Sequence, residues 1–295
     1  MTISAKVVAD SVSPQGIRLT TMQLRYPKFI HGEFMTHRVF SRNASSSRAI
    51  PVERLIQDVL DDPAMPVFWG KNQKGMQAVE ELMPVDKENA IKHWLLARDS
   101  AVRHAKDLHA RDVHKQLVNR LIEPWCHINV ACTATEWSNF FALRKHPDAQ
   151  PEMRALAEAM WGAREASTPN LLQPGEWHLP YVGEVKCASG IDFRKEPEAD
   201  MWRKVSVARC ARVSFLTHEG KPLKVEDDLK LYDRLVGSTP LHASPAEHQA
   251  TPDGTVEGIA VSEQDRGWQN PDQHGNLYGW RQYRKMLPNE NVKDR

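Results

Sequence analysis

Residues 36–48 read Thr36-His37-Arg38-Val39-Phe40-Ser41-Arg42-Asn43-Ala44-Ser45-Ser46-Ser47-Arg48 and give the strongest local signal for chemistry in the chain. Three arginines, a histidine, an asparagine and four serines lie within these thirteen residues. Guanidinium forks and hydroxyls are the groups that grip phosphate and the carbonyl oxygens of a pyrimidine. A polar surface loop has the same composition, so residue types alone leave both readings open.

Other groupings fail on physical grounds. Gly70-Lys71-Asn72-Gln73-Lys74-Gly75 has the glycine spacing of a phosphate-binding loop, but Met76 and Gln77 follow where Lys and Ser/Thr would hold phosphate and magnesium. His104, His109 and His114 are five apart. On a helix that step turns each side chain roughly 140° from the last, so the three cannot share a metal on one face. Cys126-His127 follows Pro124-Trp125, and a nucleophilic cysteine would need a positive neighbour or a helix N-terminus to lower its pKa. A buried structural cysteine is the simpler expectation there. The four cysteines form no CxxC pair, so neither a zinc knuckle nor a disulfide framework is indicated, and a reducing cytoplasm is the expected setting. A formal charge of +1 gives no electrostatic case for coating nucleic acid or a membrane. No apolar run reaches the roughly 18 residues of a membrane span, and the opening MTISAKVVADS carries no signal-peptide core.

The elements that must position these residues are legible in outline. Residues 17–35 predict a strand, a break at Pro27 and a short helical segment. Pro51 opens an amphipathic helix through Val52, Leu55, Ile56 and Val59. Residues 61–84 predict a long loop. Apolar spacing over 88–121 predicts one long helix or two, broken near 110–112, with Asp112 as the cap of the second. Further helices are expected over 135–145, from Pro151 onward and over 225–236. A strand is expected over 204–215, irregular structure over 168–200, and a last ordered piece near 277–287. The whole reads as α+β. The length of 295 residues fits one large domain or two.

The segment 36–48 resembles the signature of flavin-dependent thymidylate synthases, Arg-His-Arg-x-x-Ser-x-Asn-Glu-x-Ser-x-Arg, with His37, Arg38, Ser41, Asn43, Ser46 and Arg48 in register. Thr36 stands where that signature has arginine, Ala44 where it has glutamate, and Glu33 where an upstream glutamine is usual. Asn119-Arg120-Leu121-Ile122-Glu123-Pro124 is similar to the family segment whose arginine binds the substrate phosphate. Asn139-Phe140-Phe141-Ala142-Leu143-Arg144 followed by Ala149-Gln150-Pro151-Glu152-Met153 is similar to the next conserved stretch, with Thr133 where a flavin-contacting asparagine is usual. Late in the chain, Ala208-Arg209-Cys210-Ala211-Arg212-Val213-Ser214 and Pro240-Leu241-His242-Ala243-Ser244-Pro245-Ala246-Glu247-His248 resemble the family's N-terminal part. A front half that follows a back half is the order a circular permutation produces.

The resemblance implies the mixed helical and antiparallel-sheet fold of that family, circularly permuted, as a single catalytic domain over 1–295. Residues 17–165 correspond to the family's middle and C-terminal part and 205–250 to its N-terminal part; 168–200 and 251–295 are uncovered. It implies FAD as cofactor, held by His37, Arg38, Val39, Asn139, His242, Ser244 and Glu247. It implies a pyrimidine deoxynucleotide bound by Glu33, Ser46, Ser47, Arg48, Arg120 and Arg144, with Arg38, Ser46 and Arg144 as catalytic residues. NADPH and methylenetetrahydrofolate would be co-substrates, dUMP the substrate, dTMP the product and a homotetramer the assembly. Neither nucleic acid nor membrane is an expected partner. Thr36 and Ala44 leave open a cytosine nucleotide, a hydroxymethyl product, or a relative that binds without turnover. The closing Gly279-Trp280-Arg281-Gln282-Tyr283-Arg284-Lys285 is a candidate source of the positive charge Thr36 lacks, and equally a solvated cationic helix.

Overall fold

The computed structural model describes residues 3–183, 194–213, 224–239, 241–256, 267–288 and 290. Its centre is a five-stranded sheet in the order β3-β4-β2-β1-β5, from β1 (Ser4–Val12), β2 (Arg18–Pro27), β3 (Ser41–Ala44), β4 (His127–Ala134) and β5 (Asn170–Leu171). All neighbours are antiparallel except β1 and β5. The register sets Thr21 opposite Thr133 and Met22 opposite Cys132. Alternate residues therefore serve different faces.

One face is apolar. Met22, Leu24 and Tyr26 of β2 and Ile128, Val130 and Cys132 of β4 pack with Phe34, Phe40, Trp137 and Phe140. Helix α5 (Ser138–Arg144) and helix α6 (Pro151–Glu165), which contributes Met153, Leu156 and Met160, cover that face. Proline at the first turn of α6 and the Gln150 side chain accepting from Met153 N start the helix cleanly. Short helix α1 (His31–Phe34) follows the break at Pro27 and delivers Phe34 to this core. Helices α2 (Val52–Asp61), α3 (Pro84–Ala110) and α4 (Lys115–Val118) build a second cluster with Ile122, Trp125 and Cys126. The expected break after α3 is real, but its cap differs: the ring of His114, not Asp112, accepts from Gln116 N, and Asp112 has φ of 61°.

The other face is covered by the later part of the chain. Helix α7 (Glu198–Arg212) brings Cys210 against Ala131 and Tyr181. Helix α8 (Val225–Val236) packs on α7 in a cluster with Trp177, Trp202, Tyr232 and Tyr283. The strand expected over 204–215 is thus a helix through Arg212, and residues 214–215 lie outside the described residues. Val205 to Cys210 are buried without interruption, so hydrophobic alternation there carried no period. Acidic Glu198 and Asp200 at the start and Arg209 and Arg212 at the end complement the helix dipole instead. A 3-10 turn over Ser244–Glu247 leads to β6 (Ala250–Pro252), which pairs with β7 (Trp280–Gln282), and α9 (Tyr283–Met286) follows. Trp280 is fully buried with Leu19, Leu172 and Leu277, which anchors the tail to the sheet. Among the described residues no helix is long and apolar enough to cross a membrane.

Candidate functional site

The signature segment leaves α1 at a turn, becomes β3 at the sheet edge, and ends in a second turn beside residues 119–125. At the first turn His37 Nε2 accepts from Arg144 Nε at 2.9 Å, so the ring proton resides on Nδ1. The ring meets Phe140 edge-on, with centroids 4.9 Å apart. Burial and the nearby charges of Arg144 and Arg42 hold the His37 pKa below its ordinary value, so the ring is neutral. Arg38 and Val39 are exposed, as is Asn139 on α5. Arg42, one of the three arginines of the segment but without a role implied by the resemblance, donates to Phe34 O at 3.2 Å and is half-buried. Thr36 bonds back to its own helix, donating from Oγ1 to Glu33 O at 2.7 Å, and Glu33 itself is exposed.

Down the strand, Ser41 Oγ donates to Asn276 Oδ1 and Asn43 Nδ2 donates to Cys210 O. Four strand residues span roughly 13 Å, which separates the His37 turn from the second turn. There Ser46 is exposed and its hydroxyl accepts from Arg48 N at 3.3 Å. Among the described residues no histidine or carboxylate bonds to it, so it is not a nucleophile activated by a neighbouring base. Ser47 is held more tightly: its hydroxyl donates to Glu123, which also pairs with Lys28. Burial works to raise the Glu123 carboxyl, but bonds from Lys28 and Ser47 and the charges of Lys28 and Arg120 outweigh it and hold the pKa below the usual range. Asn119, fully buried, donates to both Ser47 O and Ile50 O. The backbone of this turn is therefore fixed from beneath, while the side chains of Arg48 and Arg120 remain exposed. Neither forms an ion pair with a described residue.

The segment 241–248 faces β3 from the other side. His242 and Ser244 are exposed and Glu247 is half-buried. Gln282 Nε2 donates to Ser41 Oγ at 3.3 Å and to Glu247 O at 3.1 Å, bridging the two. Arg284 pairs with Glu247 and Glu290, and Arg281 Nε donates to Gln273. The charge of Arg284 is already matched by two carboxylates and does not stand in for the arginine missing at Thr36. Pro240 and Ser214, parts of the two late matching segments, lie outside the described residues.

The structure thus brings together His37 with Arg144, and Ser41 with Glu247; it holds Ser46, Ser47, Arg48 and Arg120 around a separate turn of the same segment. Thr133 lies directly opposite Ser41 and on the same face of the sheet. Its hydroxyl bonds Thr21 Oγ1 at 2.7 Å and His248 Nδ1 at 2.7 Å within the buried face. Cys126 is buried, its thiol donates to Ile122 O, and burial pushes its pKa up to about 12, which removes it as a nucleophile at neutral pH. His109 pairs with Glu53 and His114 caps α4. Among the described residues no cluster of His, Cys, Asp and Glu could hold a metal. Cys187 is outside them.

Residues 13–170 match the sequence model of a family described as thymidylate synthase complementing protein. This span is just over half of the chain. The chain belongs to that family. The match of the thymidylate synthase complementing protein family contains the signature, Arg120, Asn139 and Arg144, and stops before the late segments 205–250. No curated protein matches the chain. Among solved structures, the UMP/dUMP methylase PolB from Streptomyces cacaoi bound with 5-Br dUMP is 16% identical over 55% of this chain and 89% of its own, with a TM-score of 0.46. Thymidylate Synthase X from Helicobacter pylori with FAD and dUMP is 15% identical over 50% of this chain and 67% of its own, with a TM-score of 0.36.

Proposed function

We propose that this member of the thymidylate synthase complementing protein family transfers a one-carbon group from methylenetetrahydrofolate to C5 of a pyrimidine deoxynucleotide, dUMP to dTMP, with FAD and NADPH. The observation that carries the reading is the convergence of separately matching segments. Arg144 on α5 donates to His37 in the signature, and Gln282 ties the signature's Ser41 to the 244–247 turn.

The residues present fit a flavin. Arg38, Asn139, His242 and Ser244 are exposed donors with no described protein partner for their side chains, a set suited to ring carbonyls and a pyrophosphate. With FAD bound, the chemistry supplied there is hydride transfer to the pyrimidine ring. The chain's own residues bind and orient. Arg48 and Arg120 neutralise the nucleotide phosphate, where a planar guanidinium gives bidentate contacts. Ser46, Ser47, Glu33 and Arg144 seat the base, and Arg144 also keeps the neutral His37 ring in place. Arg38, Ser46 and Arg144 are the groups assigned to the reacting atoms. His37, Val39 and Glu247 complete the flavin wall. Packing of β3 against the 244–247 turn and the bond from Asn43 to Cys210 O support a permuted order, with 205–250 serving as the family's front half in one catalytic domain. The assembly proposed is a homotetramer, with sites built between subunits.

A second reading, a cytosine nucleotide or a hydroxymethyl product, is favoured by one observation. Thr36 is bonded to its own helix, and it supplies no charge where the signature has arginine. One experiment tests both. Purified protein is examined for flavin absorbance, then for NADPH oxidation with dUMP and methylenetetrahydrofolate, with products resolved by chromatography. Formation of dTMP supports the first reading. Yellow protein that turns over only with dCMP, or yields a hydroxymethyl nucleotide, supports the second. Colourless protein that FAD cannot reconstitute rejects both.

A further inference from the structure

Residues 275–284 lie outside the span matched by the family, yet they bond directly to the signature segment and to the 244–247 turn. Gln282 is 2% exposed. Its Nε2 reaches Asn276 Oδ1 at 2.9 Å, Glu247 O at 3.1 Å and Ser41 Oγ at 3.3 Å. Asn276 in turn accepts from Ser41 Oγ at 3.1 Å and donates from Nδ2 to Val39 O at 2.9 Å. Gly275 makes room for this arrangement. Its φ is 59°, and a Cβ there would stand 2.7 Å from Gln282 Oε1. The same segment grips Glu247 a second time through the Arg284 guanidinium. Two amide side chains therefore connect backbone and hydroxyl groups of β3 and its preceding turn to the backbone of the 244–247 turn. Those two pieces are far apart in sequence and otherwise belong to different layers of the fold.

We infer that Gln282 and Asn276 are positioning residues of the nucleotide–flavin site, fixing the signature turn relative to the 242–247 wall. This rests on the function proposed above. An amide hub of this kind acts on placement: a shift of about 1 Å in a binding wall is costly to affinity and rate, whereas each bond alone contributes modestly to stability.

The test uses the full chain loaded with FAD, with dUMP titrated by its effect on flavin fluorescence and absorbance. The variants are Gln282→Met, Asn276→Ala and their double, with Lys285→Met as a control. Measurements are made at a temperature where near-ultraviolet circular dichroism of each variant matches the unaltered protein. Gln282→Met is expected to weaken FAD retention and the dUMP response about tenfold, and Asn276→Ala about threefold to tenfold. The double variant should be no worse than Gln282→Met, because the two side chains act as one unit; Lys285→Met should change neither. Asn276 is exposed, so its variant keeps the test available should Gln282→Met fail to fold. Unaltered ligand responses in both single variants, or strict additivity in the double, overturn the inference while leaving the proposed function intact. Absence of FAD and nucleotide binding in the unaltered protein removes the function and the inference together.

Discussion

Two groups of polar side chains lie within one sheet's reach and have opposite fates. On the buried face, Ser11 Oγ bonds His178 Nδ1 at 2.8 Å, His178 Nε2 bonds Thr21 Oγ1 at 2.8 Å, and the line continues through Thr133 to His248. All five side chains are buried, and burial pushes both histidines down to about 3. On the signature edge, Arg38, Ser46 and Arg48 are exposed, and only the backbone of their turns is fixed. Hydrogen-bonding side chains thus do different work in the two places. The buried line joins the sheet to the chain segments laid over it, whereas the edge offers donors that no described protein group consumes. A satisfied buried hydrogen bond holds structure, and an unused exposed donor is available to a ligand.

That contrast can be broken by mutation. Removing both Arg48 and Arg120 as alanines should lower nucleotide affinity by at least about 100-fold, since charge-assisted bonds to phosphate contribute about 1.5–3 kcal/mol each. The melting temperature should hardly move. Equal affinity in the double variant would mean that the phosphate sits elsewhere. Thr133→Val should do the reverse. It leaves Thr21 and His248 short of a partner in a dry environment, at a cost of about 2–3 kcal/mol, read by denaturant unfolding. Nucleotide affinity, measured where the variant is folded, should be unchanged. A flavin or nucleotide defect instead would show that Thr133 reaches the site after all.

Much of this division was legible in the residues, and some was not. The break at Pro27, the helices after Pro51 and Pro151, and the polar run 36–48 declare themselves because proline, apolar spacing and clustered donors act locally. The family resemblance rests on short matching runs, of which the signature, 119–124 and 139–153 fall within the matched residues 13–170 and the runs 208–214 and 240–248 do not. Helix α7 was misread because it is buried nearly all round, so its hydrophobic pattern has no period to report. The Ser11–His248 line and the bonds of Gln282 and Asn276 to β3 and its preceding turn were invisible because each joins residues more than 100 positions apart. Glu123 and Lys28 were likewise unremarkable until the fold set them beneath Ser47.

Acid sharpens the same comparison. For a histidine whose folded pKa is depressed, stability is fully present above its unfolded value near 6.5 and is lost as pH falls toward the folded value. His178 and His248, both near 3 in the fold, therefore make the protein less stable from about pH 6.5 downward, by about 1.4 kcal/mol per pH unit for each group. His248→Gln keeps a hydrogen-bonding group beside Thr133 and removes one titration. Its unfolding free energy plotted against pH should be shallower on the acid side by about that amount. An unchanged slope would mean that His248 titrates like an exposed imidazole, and the buried line would lose its end.

The smallest expected effect tests the chemistry. Cys126 has His127 beside it in sequence, but its surroundings work against ionisation. Its thiol is spent on Ile122 O, Glu123 adds negative charge, and burial carries the pKa to about 12 despite the opposing charge of Lys28. At neutral pH the thiolate fraction is then on the order of one in 10⁵, too little to attack a pyrimidine ring. Cys126→Ala should lose about 1 kcal/mol of stability for one thiol taken from a packed cluster. Nucleotide-dependent NADPH oxidation should remain within about twofold of the unaltered protein. If turnover disappears while flavin and nucleotide still bind, the carbon transfer depends on a covalent cysteine, and the exposed donors of the signature edge would be a binding wall rather than the seat of the reaction.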